Sequence, residues 1–316
     1  MMKVGIIGFG SIGKRHCSNL ITLGINDITL FREMGSGNEF GLPETSSLDD
    51  FLNKNFDFVI VTNPTSEHFR YLKYFINKNL NIVVEKPIAA ALHEYNELLD
   101  MLSHYKGIGF CAYNMRFHPI VKQVNYWLNN KTFGRVYSAR FFVGQYLPDW
   151  RPQMDYRKTY SASSVMGGGV VLDLSHEIDL AFLYFGSVKS HFHSICSKVS
   201  DLEISAEDLA EIQYVSVSNT VVSIHLDYLT RGYSRYFEIT TEAATIRADF
   251  RTNKLTVKGD KNEILHELTY ESFNRNDMYI SLMHYYLDCL NSNITPSPTF
   301  REALEVLKIS LSAKEN

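Results

Sequence analysis

Lys3-Val4-Gly5-Ile6-Ile7 runs straight into Gly8-Phe9-Gly10-Ser11-Ile12-Gly13. The first stretch is almost wholly apolar, as a strand buried on both faces must be. The second has the spacing Gly-x-Gly-x-x-Gly and leads into a helical pattern over Ile12–Leu23. Each glycine answers a physical need: a tight turn at Gly8, close approach of the backbone to a pyrophosphate at Gly10, and close helix–strand packing at Gly13. The helix N-terminus then offers unpaired N–H groups and a partial positive charge to phosphates. The hexapeptide alone is a weak signal, but strand, motif, helix and second strand in order make it a dinucleotide-binding fingerprint.

Outward from this stretch the same alternation continues. Short apolar runs at Lys3–Gly8, Ile28–Phe31, Phe58–Thr62, Ile82–Glu85 and Gly107–Ala112 predict parallel strands. Between them Ile12–Leu23, Ser47–Asn53, Ser66–Lys78 and Ala91–His104 predict helices, which together make a doubly wound Rossmann domain over residues 1–118. The pattern then changes. A helix over Pro119–Asn129, a strand over Val136–Tyr146 and a helix over Val170–Tyr184 precede period-two runs at His191–Lys198, Ala210–Val217, Thr220–Tyr228, Arg235–Thr240, Thr245–Phe250, Lys254–Val257 and Glu263–Thr269. Two helices, Met278–Leu290 and Arg301–Ser312, follow. Residues 119–316 therefore read as an α+β domain with a large, mostly antiparallel open sheet. The expected fold class is α/β with this second domain, and an exposed apolar sheet face predicts a homodimer or homotetramer joined through that sheet.

Composition narrows the function classes. A chain of 316 residues, 45% hydrophobic and 21% charged, is globular and long enough for about two domains. Lys+Arg 31 against Asp+Glu 35 leaves a net charge of -4 with no basic block, so nucleic acid is not an expected partner. Cys17, Cys111, Cys196 and Cys289 lie far apart, which predicts buried thiols and neither a zinc knuckle nor a disulfide framework. His191 and His193 share a strand face with no acidic or cysteine partner nearby and are read as structural or solvated, so no metal is expected. No apolar run is long enough to span a membrane and no leader pattern precedes Val4, so the expected location is the cytoplasm.

The end of the second strand reads Leu30-Phe31-Arg32-Glu33. Arg32 is placed to pair with a 2′-phosphate, a charge-assisted bond of roughly 1.5–3 kcal/mol that favours NADP by about ten- to a hundredfold. The alternative is a solvated Arg32 with Glu33 turned inward to hold NAD. NADP is the expected cofactor, with NAD as that alternative.

Two further segments carry chemistry. Val83-Val84-Glu85-Lys86-Pro87 stands at the carboxyl end of a predicted parallel strand, where open α/β sheets bind ligands. Gly167-Gly168-Gly169 leads into Val170-Val171-Leu172-Asp173-Leu174-Ser175-His176-Glu177-Ile178-Asp179, where Asp173 and His176, three apart, would share a helix face. With the Asn63-Pro64 loop and Tyr113-Asn114-Met115-Arg116-Phe117-His118-Pro119, these segments resemble the glucose–fructose oxidoreductase, inositol dehydrogenase and rhizopine-catabolism (Gfo/Idh/MocA) family over nearly the whole chain.

The resemblance implies a nicotinamide cofactor on the first domain, a substrate on the second, and hydride transfer in the cleft between them. Lys86 matches the family's catalytic lysine and His176 its histidine. Asp173 departs from the pattern, because many members carry the acid four residues before the histidine, where this chain has Leu172. The implied cofactor set is Gly8, Phe9, Gly10, Ser11, Ile12, Gly13, Arg32, Thr62, Asn63, Pro64, His68, Glu85, Lys86, Asn114 and Arg116. For Arg116 a surface ion pair is the competing reading.

Oxidising a secondary alcohol sends a hydride to the nicotinamide and a proton to a positioned base. A histidine titrates near neutrality unaided, whereas a lysine must be brought down from about 10.4. His176 is therefore assigned proton transfer with Asp173 orienting its ring, and Lys86 polarises the reacting oxygen; the two roles are exchangeable. Aromatic and arginine side chains in Gln145–Pro152 and Asp155–Ala162 suit a carbohydrate bearing an anionic group. The substrate candidates are Lys86, Arg116, Tyr146, Trp150, Arg157, Tyr160 and His176, against a reading of the segment as a packed aromatic loop. This segment also resembles members tied to bacterial surface-sugar pathways. The expected activity is an NAD(P)-dependent oxidoreductase acting on a sugar, cyclitol or nucleotide sugar. The alternatives are a reductase of a non-sugar ligand such as a linear tetrapyrrole, an enzyme that retains its nicotinamide for a redox-neutral step, and a non-catalytic dinucleotide-binding regulator.

Overall fold

The computed structural model describes residues 2–33, 35 and 37–315. They form two units, Met1–Asn114 with Arg275–Leu304, and Met115–Asn274 with Glu305–Asn316.

The first unit is a six-stranded, all-parallel sheet in the order β3-β2-β1-β4-β5-β6. Its strands are β1 (Lys3–Ile7), β2 (Asp27–Phe31), β3 (Glu44–Thr45), β4 (Phe58–Val61), β5 (Ile82–Val84) and β6 (Gly109–Cys111). The helices between them are α1 (Ser11–Thr22), α2 (Leu48–Leu52), α3 (Thr65–Asn77) and α4 (Leu92–Met101). Val4, Ile6, Ile7 and all of β4 are fully buried, which is why these strands read as unbroken apolar runs. β1 lies between β2 and β4, so chain order reverses at its C-terminal end, and that switch point is where ligands of open sheets bind.

The second unit begins with α5 (Pro119–Asn129) and β7 (Val136–Gly144), followed by α6 (Val170–Asp173) and α7 (His176–Phe185). Seven strands then complete its sheet: β8 (Val188–Ser197), β9 (Leu209–Ser216), β10 (Val221–Asp227), β11 (Ser234–Thr241), β12 (Thr245–Asp249), β13 (Lys254–Lys258) and β14 (Ile264–Thr269). The order is β14-β13-β12-β11-β7-β10-β9-β8, antiparallel except for the central β7/β10 pair. One face is buried through Phe141, Ile224, Phe237, Ile246 and Leu255. On the other, His225, Phe142 and Tyr236 stack across neighbouring strands.

Two features differ from the sequence reading. The helix expected over Val170–Tyr184 is two helices, because Leu174 (φ -97, ψ 24) leaves helical geometry and Ser175 is the N-cap of α7. And α8 (Arg275–Ser292), placed by sequence order in the 119–316 segment, packs with the first unit. Its Tyr286 stacks on Phe110 and meets Phe58 edge-on, and Tyr279 does the same to His16. The start of α9 (Phe300–Glu315) joins it there, with the Phe300 ring so close to Gly109 that a Cβ would meet it at 2.6 Å. Among the described residues no helix is long and apolar enough to cross a membrane.

Candidate functional site

On the first unit the turn after β1 has the geometry its glycines predict. Gly8 has φ +83, and a Cβ there would meet Asn63 N at 2.9 Å. A Cβ on Gly13 would meet Gly8 O at 2.4 Å and Thr62 Oγ1 at 2.8 Å. Gly10 is different: among the described residues a Cβ there would meet nothing within 4 Å. It is the N-cap of α1 and makes no side-chain cap hydrogen bond, so the first N–H groups of this twelve-residue helix are not capped by it. Ser11 is exposed and Ile12 half-buried at that end, while Phe9 is buried with its ring edge-on to Phe40.

Thr62 and Asn63 form the β4 side of this turn. Thr62 Oγ1 donates within reach of both Ile7 O (2.9 Å) and Gly8 O (2.8 Å), locking the two strand ends together. Among the described residues Asn63 Oδ1 is a buried acceptor with no partner, a group that costs about 1–3 kcal/mol unless a ligand supplies a donor. Open space at Gly10, an uncapped helix end and this orphaned oxygen all fit a bound dinucleotide.

At the end of β2, Arg32 Nη1 donates to Gly37 O at 3.0 Å and lies 3.4 Å from both carboxylate oxygens of Glu44. Glu33 points outward and pairs with Arg70 on the surface, so it is not turned inward to hold a ribose.

The loop after β5 is held from two sides. Glu85 Oε1 lies 2.7 Å from His16 Nε2, which ties it to α1, and Glu85 Oε2 accepts from Lys86 N at 3.3 Å. His68 is buried, its ring nitrogens 2.8 Å from Pro87 O and 2.9 Å from Asn63 O. Both nitrogens are thus occupied by main-chain carbonyls, and the ring joins the Asn63-Pro64 loop to the Lys86-Pro87 loop. Burial pushes its pKa down, against the pull of the carbonyls and of Glu85 and Glu94. Lys86 is half-buried beside this clasp, Pro64 caps α3 and Asn114 is buried at the end of the unit.

On the second unit Asp173 is a hub of hydroxyl groups. It accepts from Tyr160 Oη, from Ser161 Oγ at 2.6 Å and from Tyr228 Oη at 3.1 Å. Burial and the Asp173 charge push both tyrosines well above the usual phenol range. Asp173 makes these bonds as the last residue of α6, just before the break at Leu174. Asp173 ends α6 and His176 begins α7, so the two lie on successive helices and not on the single helix the sequence reading had. His176 opens α7 and is half-buried.

The aromatic segment packs on the same wall. Trp150 meets Tyr228 edge-on at 5.2 Å and donates through Nε1 to Gln145 O at 3.1 Å. Arg157 is taken up at the surface, its fork on Asp155 at 2.8 and 3.0 Å and its remaining nitrogen on Glu203 at 3.2 Å. Arg116, read as a cofactor or substrate contact or a surface pair, forms a buried pair with Asp179, with bonds of 2.7 and 3.0 Å. A second buried pair, Arg235–Glu177, flanks it on α7. Sequence reasoning missed Asp179, Glu177 and Tyr228 as partners, because nothing local links positions so far apart in the chain. His191 and His193 are exposed on the edge strand β8.

Residues 2–113 match the family model described as oxidoreductase family, NAD-binding Rossmann fold, and residues 121–247 match the C-terminal domain model of the same family, GFO/IDH/MocA. Myo-inositol 2-dehydrogenase of Thermotoga maritima is 23% identical, covering 100% of this chain and 96% of that protein. Glucose-6-phosphate 3-dehydrogenase of Bacillus subtilis is 24% identical over 70% of this chain and 66% of its own length. The match spans 53–66% of the length of three curated relatives, this one included. A solved structure of levoglucosan dehydrogenase in complex with NADH and L-sorbose has the same fold, with TM-score 0.87 and 16% identity over 100% of this chain and 96% of that one.

Proposed function

The chain belongs to the glucose–fructose oxidoreductase, inositol dehydrogenase and rhizopine-catabolism family, and from that premise we propose that it is an oxidoreductase acting on a hydroxyl or keto carbon of a sugar, cyclitol or nucleotide sugar. The observation that carries this reading is the open space at Gly10 above the uncapped N-terminus of α1, which suits a pyrophosphate. Residues Gly8–Gly13, Thr62 and Asn63 would hold the dinucleotide, which when bound supplies the hydride acceptor or donor.

The residues of the chain would do the rest. Lys86 hydrogen-bonds and polarises the reacting oxygen, and His176 takes its proton on oxidation and returns it on reduction. Asp173 holds the Tyr160, Ser161 and Tyr228 hydroxyls in place and so fixes the aromatic wall against which a polyol ring would lie. This wall, with Trp150 in it, favours a sugar-like ring over a non-sugar ligand and is consistent with a surface-sugar role. Arg32 favours NADP, but its pairing with Glu44 limits that preference. The stacked Phe142, His225 and Tyr236, with exposed Val221 and Ile195 on the same sheet, favour a homo-oligomer joined through that face. None of the four cysteines is in a disulfide, which favours a reducing compartment such as the cytoplasm.

Binding of NADH and NADPH is read by their fluorescence, and turnover by absorbance at 340 nm over a panel of sugars, inositols and nucleotide sugars. Gly10→Val should abolish binding by filling the pyrophosphate site. Unchanged binding in that variant, or no redox change with any compound on the panel, overturns the reading.

A further inference from the structure

On the second unit, the loop after β10 presents an arginine that the sequence analysis did not single out. Arg231 is exposed and lies flat over the Tyr146 ring, its guanidinium carbon 3.5 Å from the centroid. A guanidinium stacked by its face keeps its N–H donors around its edge, in the plane that matches a carboxylate or phosphate fork. Among the described residues no carboxylate takes those donors. By contrast Arg247, which also stacks on a tyrosine (Tyr236), is paired with Glu238.

The loop that carries Arg231 is fixed before any ligand arrives. Asp227 Oδ1 accepts from Leu229 N at 2.7 Å and Thr230 N at 2.6 Å, and Oδ2 accepts from Thr230 Oγ1 at 2.7 Å. Tyr146 N donates to Thr230 O at 2.8 Å, which sets the stacked ring beside the arginine. A pre-ordered donor loses little side-chain entropy on binding. The same loop leaves Tyr228, whose hydroxyl reaches Asp173, and three residues of chain span at most about 11 Å. Arg231 thus sits on the loop that leaves the hydroxyl hub, its Cα within about 11 Å of that of Tyr228. Arg151, also exposed, adds positive potential at the hub, since its charge acts on Tyr160.

We propose that Arg231, held by Tyr146, is the specificity-determining contact for an anionic substituent, carboxylate or phosphate, on the sugar-like substrate. This deepens the reading given under Proposed function and rests on it for the sugar-like part of the ligand. It also moves the anion contact away from Arg157, whose donors are already engaged by Asp155 and Glu203.

The test measures binding, not turnover, so it can fail or succeed independently of hydride transfer. Glucose, glucuronate and glucose 6-phosphate are titrated against the protein, with intrinsic tryptophan fluorescence, to which Trp150 beside Tyr228 contributes, as the signal and calorimetry as a second readout. The wild type should bind one of the anionic sugars about ten- to a hundredfold more tightly than glucose, and whichever wins identifies carboxylate or phosphate as the group recognised. Arg231→Ala should bring that ratio close to one, Arg231→Lys should keep part of it, and Arg247→Ala should leave it unchanged. Equal affinity for all three sugars in the wild type, no binding by any of them, or a ratio that survives in Arg231→Ala while thermal melting shows a folded protein, overturns the proposal.

Discussion

Replacing Glu44 by Gln should raise the affinity for NADPH relative to NADH by about tenfold. Arg32 Nη1 sits 3.4 Å from the Glu44 carboxylate, with the two side chains 26% and 11% exposed, so the pair itself contributes only about 0.2–1 kcal/mol. A 2′-phosphate on Arg32 would gain about 1.5–3 kcal/mol from a charge-assisted bond. The Glu44 carboxylate would repel the same phosphate, and like charges on the order of 6 Å apart repel by about 0.7–3 kcal/mol per unit charge for effective dielectrics between 80 and 20. The repulsion removes part of the gain in the wild type. Glutamine keeps an oxygen for Arg32 and for Asn38 Nδ2, which donates to Glu44 Oε2 at 3.3 Å, but carries no charge. Removing about 1.4 kcal/mol of repulsion is a factor of ten. Fluorescence titration of both reduced dinucleotides at low ionic strength measures the ratio, and 0.5 M salt should shrink the change. A ratio that stays constant or moves toward NADH in Glu44→Gln refutes the assignment of Arg32 to the 2′-phosphate.

The remaining predictions concern chemistry and stability. Lys86→Ala and His176→Ala should keep dinucleotide affinity and lose turnover by about a hundredfold or more, and full activity in both variants would mean that neither handles the proton. Arg116→Ala leaves Asp179 buried without its guanidinium partner and should cost about 3–5 kcal/mol in chemical denaturation. A loss below about 1 kcal/mol with weakened cofactor binding would instead make Arg116 a ligand contact. His118 caps α5, its Nδ1 accepting from Ile120 N at 3.1 Å, and burial holds its pKa down to about 4. Because the unfolded chain takes up the proton first, near 6.5, the stability this group preserves at neutral pH falls as pH drops from about 6.5 to 4, on the order of 3 kcal/mol in total. His118→Asn retains a capping oxygen and should flatten that part of the pH–stability curve, whereas an identical slope in wild type and variant counts against the assignment.

The parallel strands of the first unit were legible because burial on both faces leaves no room for polar residues in Val4–Ile7 or Phe58–Val61, and the glycine spacing fixed where the chain turns. The two-residue strand β3 was not, since Glu44-Thr45 carries no periodic signal. Nor was the break between α6 and α7: the apolar pattern continues through Leu174, and no local signal marks the residue where helical geometry is lost. The same holds for Arg116 with Asp179, 63 residues apart, and for Arg231 with Tyr146, pairs that only the folded chain brings together. Residue types announced the chemistry, and tertiary contacts decided which arginines remain available for it.

The return of α8 to the first unit bears on how the protein is made. Strands β1 to β6 leave the ribosome some 160 residues before the helix whose Tyr286 covers Phe58 and Phe110. At roughly 5–20 residues per second that is a delay of about 8–30 s, during which the nascent sheet presents bare aromatic rings. Synthesis from the amino end therefore completes the first unit only after most of the second has been made, and a fragment ending near residue 114 would lack the lid its own core needs.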